Sequence, residues 1–129
     1  MTKITVHADC DNAPMKELLR DLNIAYVCAD VEAILEKVSE DVSWQIVAQF
    51  EMRGKDEVRA ALQHMNDIAV SELVIENIMT HGRDAAIHGL IISDDGKRYA
   101  FCDVCQFASA SGKKIDLIKS YTIEINMEG

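Results

Sequence analysis

One acidic residue lies in a part of the sequence that otherwise has the composition of a buried strand. Asp103 is in the segment 98–107, whose β-branched and aromatic residues predict a strand. Because successive side chains alternate between the two faces, Asp103 shares its face with four apolar or thiol side chains, Tyr99, Phe101, Cys105 and Phe107. A carboxyl group in such surroundings has a raised pKa, in the range that general acid or base catalysis uses. Asp103 is therefore the main candidate for chemistry.

His88 is the candidate companion of Asp103. It belongs to a second predicted strand, 85–93, which a tight turn at 94–96 joins to the strand of Asp103. In such a hairpin a histidine can come within hydrogen-bonding distance of a carboxyl group on the neighbouring strand. A histidine in an apolar strand is more often a core residue, so both interpretations of His88 stay open.

Two of the four cysteines, Cys102 and Cys105, form a C-x-x-C motif, a spacing found in zinc and redox sites. Three residues apart on a strand, their side chains point to opposite faces, whereas a zinc site needs a second ligand pair and a redox pair needs a helix N-terminus. We interpret all four cysteines as reduced thiols. The segment 7–11 also contains ligand-type residues, but has no matching pair, so we expect neither a metal site nor a cofactor.

Length and charge limit the classes of partner. The 129 residues suit one domain, expected at 12–129 after an N-terminal arm at 1–11. The net charge of −9 argues against nucleic acid or an anionic membrane surface as partner and favours a neutral or weakly charged small-molecule ligand. The sequence has no apolar run long enough for a signal peptide or a membrane span, which predicts a cytoplasmic protein.

Hydrophobic periodicity gives the order of the elements that must position these residues. Three helices are predicted, at about 13–28, about 31–39 and for about ten residues after Gly54, with Asp11 or Asn12 and then Asp30 as N-caps of the first two. The predicted strands are 42–47, 71–80, 85–93, 98–107 and 115–125. Helices that largely precede long strands indicate the α+β class, with three N-terminal helices packed on one face of a strongly curved antiparallel sheet.

The order of these elements resembles the nuclear-transport-factor-2-like superfamily, in its polyketide-cyclase-like (SnoaL-like) branch. The residues that carry the resemblance are Trp44 in the strand between the second and third helices, Gly54-Lys-Asp-Glu-Val58 at the start of the third, and the final run that begins at Gly112-Lys-Lys. The resemblance covers about residues 12–126. It implies a cone-shaped α+β barrel, a pocket between sheet and helices, and homodimers through the outer face of the sheet. It implies no single reaction.

Alternation within the strands, together with this resemblance, predicts which side chains face the pocket. The expected pocket-lining residues, besides Asp103, are Leu22, Trp44, Ile46, Leu62, Tyr99, Phe101, Cys105, Ile118 and Ser120. Val104 and Tyr121 are expected on the opposite, outer face of the sheet, through which a dimer would form.

A closer comparison concerns the segment Cys102-Asp-Val-Cys-Gln-Phe107. It is similar to the ketosteroid isomerase segment whose aspartic acid stays protonated and donates a hydrogen bond to the oxyanion. That enzyme also needs a carboxylate base and a tyrosine, and the matching positions here are Ile46 and Leu22. Neither side chain transfers a proton, so the sequence argues against steroid isomerisation by that mechanism.

Three functions therefore remain open. The first is a pocket protein that binds a small, largely apolar ligand without turnover. The second is an isomerase, cyclase or dehydratase acting on a small carbonyl or hydroxyl compound, with Asp103 as the acid or base and His88 assisting. The third is a non-catalytic dimerisation module. The residues at positions 22 and 46 favour the first function over the second, and the inward acid favours both over the third.

Overall fold

The computed structural model describes residues 2–10, 13–64 and 69–125. The helices in this part of the chain are α1 (Pro14–Val27), α2 (Val31–Glu36) and α3 (Gly54–His64). The strands are β1 (Lys3–Val6), β2 (Val38–Ile46), β3 (Phe50–Arg53), β4 (Val70–His81), β5 (Asp84–Ser93), β6 (Arg98–Phe107) and β7 (Ile115–Ile125). All the strands join one sheet in the order β1-β4-β5-β6-β7-β2-β3, which confirms the α+β class.

The helices begin where local chemistry favours a helix start. Pro14 occupies the first turn of α1, where its missing N–H breaks no hydrogen bond. Asp30 caps α2, as predicted, by accepting a hydrogen bond from the backbone N–H of Ala33. The other predicted caps, Asp11 and Asn12, lie outside the described residues. No helix in the described ranges is long and apolar enough to cross a membrane.

The sheet is mixed, which corrects the expectation of an antiparallel sheet. Strands β4 to β7 form the expected antiparallel meander, but β2 pairs with β7 in parallel and β1 pairs with β4 in parallel. The segment 3–6 is thus an edge strand, although the sequence predicted an arm at 1–11. Strand composition does not show which neighbour a strand will find across the sheet, so these two pairings were not predicted.

A glycine permits the close approach of two strands where their register shifts. The register between β4 and β5 shifts between Ile75 and Asn77, and Gly89 of β5 lies beside this irregularity. A Cβ atom at position 89 would lie 1.9 Å from the carbonyl oxygen of Val74, so only glycine fits there. The helices cover one face of the sheet, called its concave face below.

Candidate functional site

A cavity of about 570 Å³ lies between the concave face of the sheet and the three helices. Its wall contains four of the chain's seven aromatic residues, Tyr26, Trp44, Tyr99 and Phe101. The aliphatic side chains in the wall are Leu22, Val27, Ala29, Val31, Ile34, Ile46, Leu62, Ala69, Val70 and Ile91. The polar ones are Asn23, Gln49, Ser93, Asp94, Asp95, Asp103, Ser120 and Thr122.

Asp103 lies at the inner end of this cavity. It is on the concave face of β6, where the buried residues alternate as the sequence predicted, and it pairs in register with Ile87 of β5 and Ser120 of β7. Only 8% of the residue is exposed. Because Asp103 lines the cavity, a molecule inside the cavity could reach its carboxyl group.

Neutral side chains from α1 and β7 hydrogen bond the carboxyl group, and a side chain from β2 supports one of them. Ser120 and Asn23 both form hydrogen bonds with Asp103. Ser120 Oγ also accepts a hydrogen bond from the indole Nε1 of Trp44 at 3.0 Å. Asn23 Nδ2 donates to the backbone carbonyl of Leu19 at 3.0 Å, which fixes the amide against its own helix. The inner end of the cavity is therefore a hydrogen-bonded cluster with one ionisable carboxyl group.

Burial dominates the electrostatics of this cluster. It raises the pKa of Asp103 to about 6, although the hydrogen bonds from Ser120 and Asn23 act in the opposite direction. Burial, and then the nearby charge of Asp103, raise the pKa of Tyr26 to about 12. Near neutral pH the Asp103 carboxylate can therefore accept a proton, whereas the Tyr26 phenol stays protonated.

Sequence reasoning missed Asn23 and Tyr26 as site residues. Both belong to α1 and face the cavity together with Leu22. Leu22 and Tyr26 are four residues apart and belong to one apolar stripe of the helix, a pattern that is typical of a helix packed on a core and that predicted only Leu22 as a pocket residue. A polar Asn23 inside that stripe was the available signal, because a buried amide requires hydrogen-bonding partners.

The outer end of the cavity lies at the turn between β5 and β6. Asp94 and Asp95 of this turn line it, together with Tyr99 and Thr122. The carboxylate of Asp95 accepts hydrogen bonds from the Ser93 hydroxyl and the Lys97 backbone N–H, which lower its pKa. Two acidic side chains of one turn therefore lie at the entrance, and the positive charge of Lys97 is close to one of them, Asp95.

Seven of the nine predicted pocket-lining residues line the cavity: Leu22, Trp44, Ile46, Leu62, Tyr99, Phe101 and Ser120. Cys105 and Ile118 are buried but are not part of the cavity wall, which corrects their assignment. These two residues pair with each other in register, one step along the same face beyond the pair of Asp103 and Ser120. They pack in the core beneath the inner end of the cavity.

His88 lies on the opposite face of the sheet from Asp103, so the predicted pairing of these two side chains is wrong. Its register partner on β6 is Cys102, and its Nδ1 atom lies 3.5 Å from a carboxylate oxygen of Glu76. Both faces of β5 are apolar. Composition alone therefore could not show which set of alternating side chains points toward the helices. The residue of β5 opposite Asp103 is Ile87.

The two cysteines of the C-x-x-C motif point to opposite faces, as their strand spacing predicts. Cys105 is buried on the concave side, and Cys102 is half-buried on the outer side. No group of three or more His, Cys, Asp or Glu residues in the described ranges could hold a metal ion.

Comparison with known proteins agrees with this architecture. The family model described as SnoaL-like domain matches residues 19–117, most of the chain. No curated protein matches the sequence significantly.

Solved structures extend the likeness to nearly the whole fold. An NTF-2 like protein of unknown function from Burkholderia xenovorans LB400 is 14% identical, with a TM-score of 0.74 over 94% of this chain and 91% of that chain. An LEH-like epoxide hydrolase from M. tuberculosis is 15% identical, with a TM-score of 0.70 over 88% and 85%. A putative ketosteroid isomerase from Kribbella flavida DSM 17836 is 13% identical, with a TM-score of 0.70 over 92% and 84%. At these identities the likeness shows the fold alone.

The raised pKa of Asp103 predicts a pH-dependent stability. The folded pKa of about 6 lies above the ordinary aspartic acid pKa of 3.8, so this group stabilises the fold most at low pH and the contribution is lost as pH rises through about 6. The difference between these two pKa values corresponds to a loss of stability on the order of 3 kcal/mol. Asp103→Asn removes the ionisation, and its stability relative to wild type should therefore increase between about pH 4 and about pH 7.

Urea denaturation of both proteins across that range measures the difference. Asp116→Asn is the control, because Asp116 is an exposed carboxylate that accepts a hydrogen bond from Ser39. A difference between wild type and Asp103→Asn that stays constant with pH, or changes in the other direction, would contradict the burial argument.

Proposed function

The chain belongs to the SnoaL-like domain family, and we propose that its cavity binds a small, largely apolar molecule whose one polar group is held by Asp103. The observation that carries this proposal is the buried carboxyl group at the inner end of a mainly apolar cavity. A volume of about 570 Å³ falls in the range of about 300–1,000 Å³ typical of small-molecule sites.

The hydrogen-bonding groups are arranged to orient such a ligand. At the inner end Ser120 and Asn23 hydrogen bond the carboxyl group of Asp103, which restricts its orientation before a ligand arrives. Tyr26 adds a phenol on the same cavity wall. The remaining inner wall is aliphatic or aromatic, and this surface favours the apolar body of a ligand.

This arrangement supports binding over the alternative of a structural module. A module without a ligand needs no cavity and gains nothing from a buried carboxyl group, which is costly to ionise. Leu22 and Ile46 also line the cavity, so the positions that matched the tyrosine and the base of ketosteroid isomerase supply apolar surface.

Turnover is the second candidate function, and the pKa of Asp103 favours it. A carboxyl group with a pKa of about 6 is suited to act as general acid or base near neutral pH, and Tyr26 could hydrogen bond a developing oxyanion.

If the protein is an enzyme of this kind, wild type should accelerate deuterium exchange at the carbon atoms beside the carbonyl of 2-octanone in D₂O. Equal exchange rates with wild type and Asp103→Asn would exclude this candidate.

We also propose a homodimer through the outer face, defined as the side of β4 to β7 that points away from the helices. Two rows of outer-face residues are mainly apolar: one contains Met79, Ala86 and Val104 and ends at Lys119 on β7, and the other contains Val74, Leu90, Ala100 and Ile123. Val104, Tyr121 and Ile123 are exposed by 45%, 43% and 69%. A second copy would remove this apolar surface from water.

Binding can be tested with 1-adamantanol and 1-octanol, which combine an apolar body with one hydroxyl group. Both should bind wild type saturably and change the fluorescence of Trp44, the single tryptophan, because its ring lines the cavity. Asp103→Asn should weaken binding by about 1–2 kcal/mol, since a charge-assisted hydrogen bond is lost. The surface variant Asp116→Asn should bind like wild type. Binding that is absent, or equal in wild type and Asp103→Asn, would refute the proposal.

The dimer can be tested by sedimentation. Wild type should sediment at twice the 14.4 kDa chain mass, and Ile123→Glu should give monomers because it places a charge in the outer face. Phe50→Glu is the control, since Phe50 is also exposed but lies on β3, away from the outer face. A monomeric wild type at micromolar concentration, or a dimeric Ile123→Glu, would count against this interface.

A further inference from the structure

The charged side chains of the cavity wall all have the same sign. Asp94 and Asp95 lie at its entrance and Asp103 at its inner end, and no lysine, arginine or histidine is among the described residues of the wall. The whole chain carries a net charge of −9. This field attracts cations to the cavity and repels anionic molecules such as carboxylates and phosphates.

The carboxylate of Asp103 has no cation to balance it within the described part of the chain. Its hydrogen bonds come from the hydroxyl of Ser120 and the amide of Asn23, which are both neutral. A buried charge is normally paired, because the loss of hydration is only partly replaced by neutral donors. A positively charged group of a ligand in the cavity would supply the charge that compensates the Asp103 carboxylate.

Aromatic rings surround the path to this carboxyl group. The rings of Tyr26 and Trp44 lie 6.1 Å apart between centroids and are tilted by 45°. Phe101 is two residues from Asp103 on the same face of β6, and Tyr99 is two residues further toward the entrance. The negative faces of aromatic rings stabilise a cation, most strongly where water is excluded.

We infer that the ligand is a lipophilic amine, whose protonated nitrogen pairs with the Asp103 carboxylate while its apolar body fills the aromatic and aliphatic part of the cavity. This inference rests on the proposed binding function and names the chemical class of the ligand. It also explains the acidic entrance, since Asp94 and Asp95 would guide an ammonium group inward and disfavour a fatty acid of the same shape.

Asp103 is the group whose ionisation should control amine binding. The titratable groups on its side of the sheet are Tyr26 from α1 and Cys105 of its own strand, and the thiol of its sequence neighbour Cys102 points to the outer face. The pKa values of all three are raised, each mainly by burial, so they remain neutral between about pH 5 and about pH 8. The residues of β5 and β7 paired with Asp103 are Ile87 and Ser120, which do not titrate in this range.

Two matched sets of probes separate charge from shape. One set has a compact body, 1-adamantylamine, 1-adamantanol and 1-adamantanecarboxylate, and the other a linear body, octylamine, 1-octanol and octanoate. Calorimetry with wild type at about pH 8 should show each amine binding at least about tenfold more tightly than its alcohol, and each carboxylate most weakly. At about pH 5 the preference for the amine should shrink about tenfold, because Asp103 is then mostly protonated.

Asp103→Asn should remove the preference for amines, whereas the surface control Asp116→Asn should keep it. Circular dichroism verifies that both variants are folded, and the pH comparison uses wild type alone. If the alcohols bind in an Asp103-dependent way but the amines bind no more tightly, the amine inference fails and the binding function stands. If none of the six probes binds, both fail. A preference for amines that survives Asp103→Asn would also overturn the inference.

Discussion

The carboxyl group of Asp103 is buried, and the groups around it must compensate for its lost hydration. Ser120 and Asn23 supply hydrogen bonds, and Trp44 and the backbone of Leu19 hold those two side chains in place. The hydrogen-bonded cluster around Asp103 thus connects helix α1, strand β2 and strand β7. Any shift of β6 by one residue would move Asp103 to the outer face and Val104 into the cavity, so the register of the sheet and the chemistry of the cavity depend on each other.

Much of the fold could be predicted because its signals are local. Pro14, the cap at Asp30, Gly54 at the start of α3 and the tight turn at 94–96 each fix an element boundary through nearby chemistry. The parallel pairings of β1 and β2 could not be predicted, since they join segments that are far apart in the sequence. The resemblance to the SnoaL-like branch, confirmed by the family match, supplied the global arrangement that local patterns lack.

The candidate site could be predicted only where one face of a strand differs from the other. Strand β6 alternates clearly, and Asp103 was therefore placed on the concave face. Strand β5 is apolar on both faces because its outer side is part of the exposed apolar surface, and His88 was consequently assigned to the wrong side. Asn23 and Tyr26 reach the cavity through the way α1 packs on the sheet, a tertiary relation that helical spacing does not specify.

Asp103 is a buried carboxyl group that lines the cavity, and burial raises its pKa to about 6. Carbon-13 NMR of protein labelled at the aspartate carboxyl carbons measures this directly, with Asp103→Asn used to assign the resonance. We predict a midpoint of about 6 for Asp103, which moves to lower pH when an amine occupies the cavity. A midpoint at or below 3.8, the ordinary pKa of an aspartic acid, would show that hydrogen bonding outweighs burial and would contradict the account.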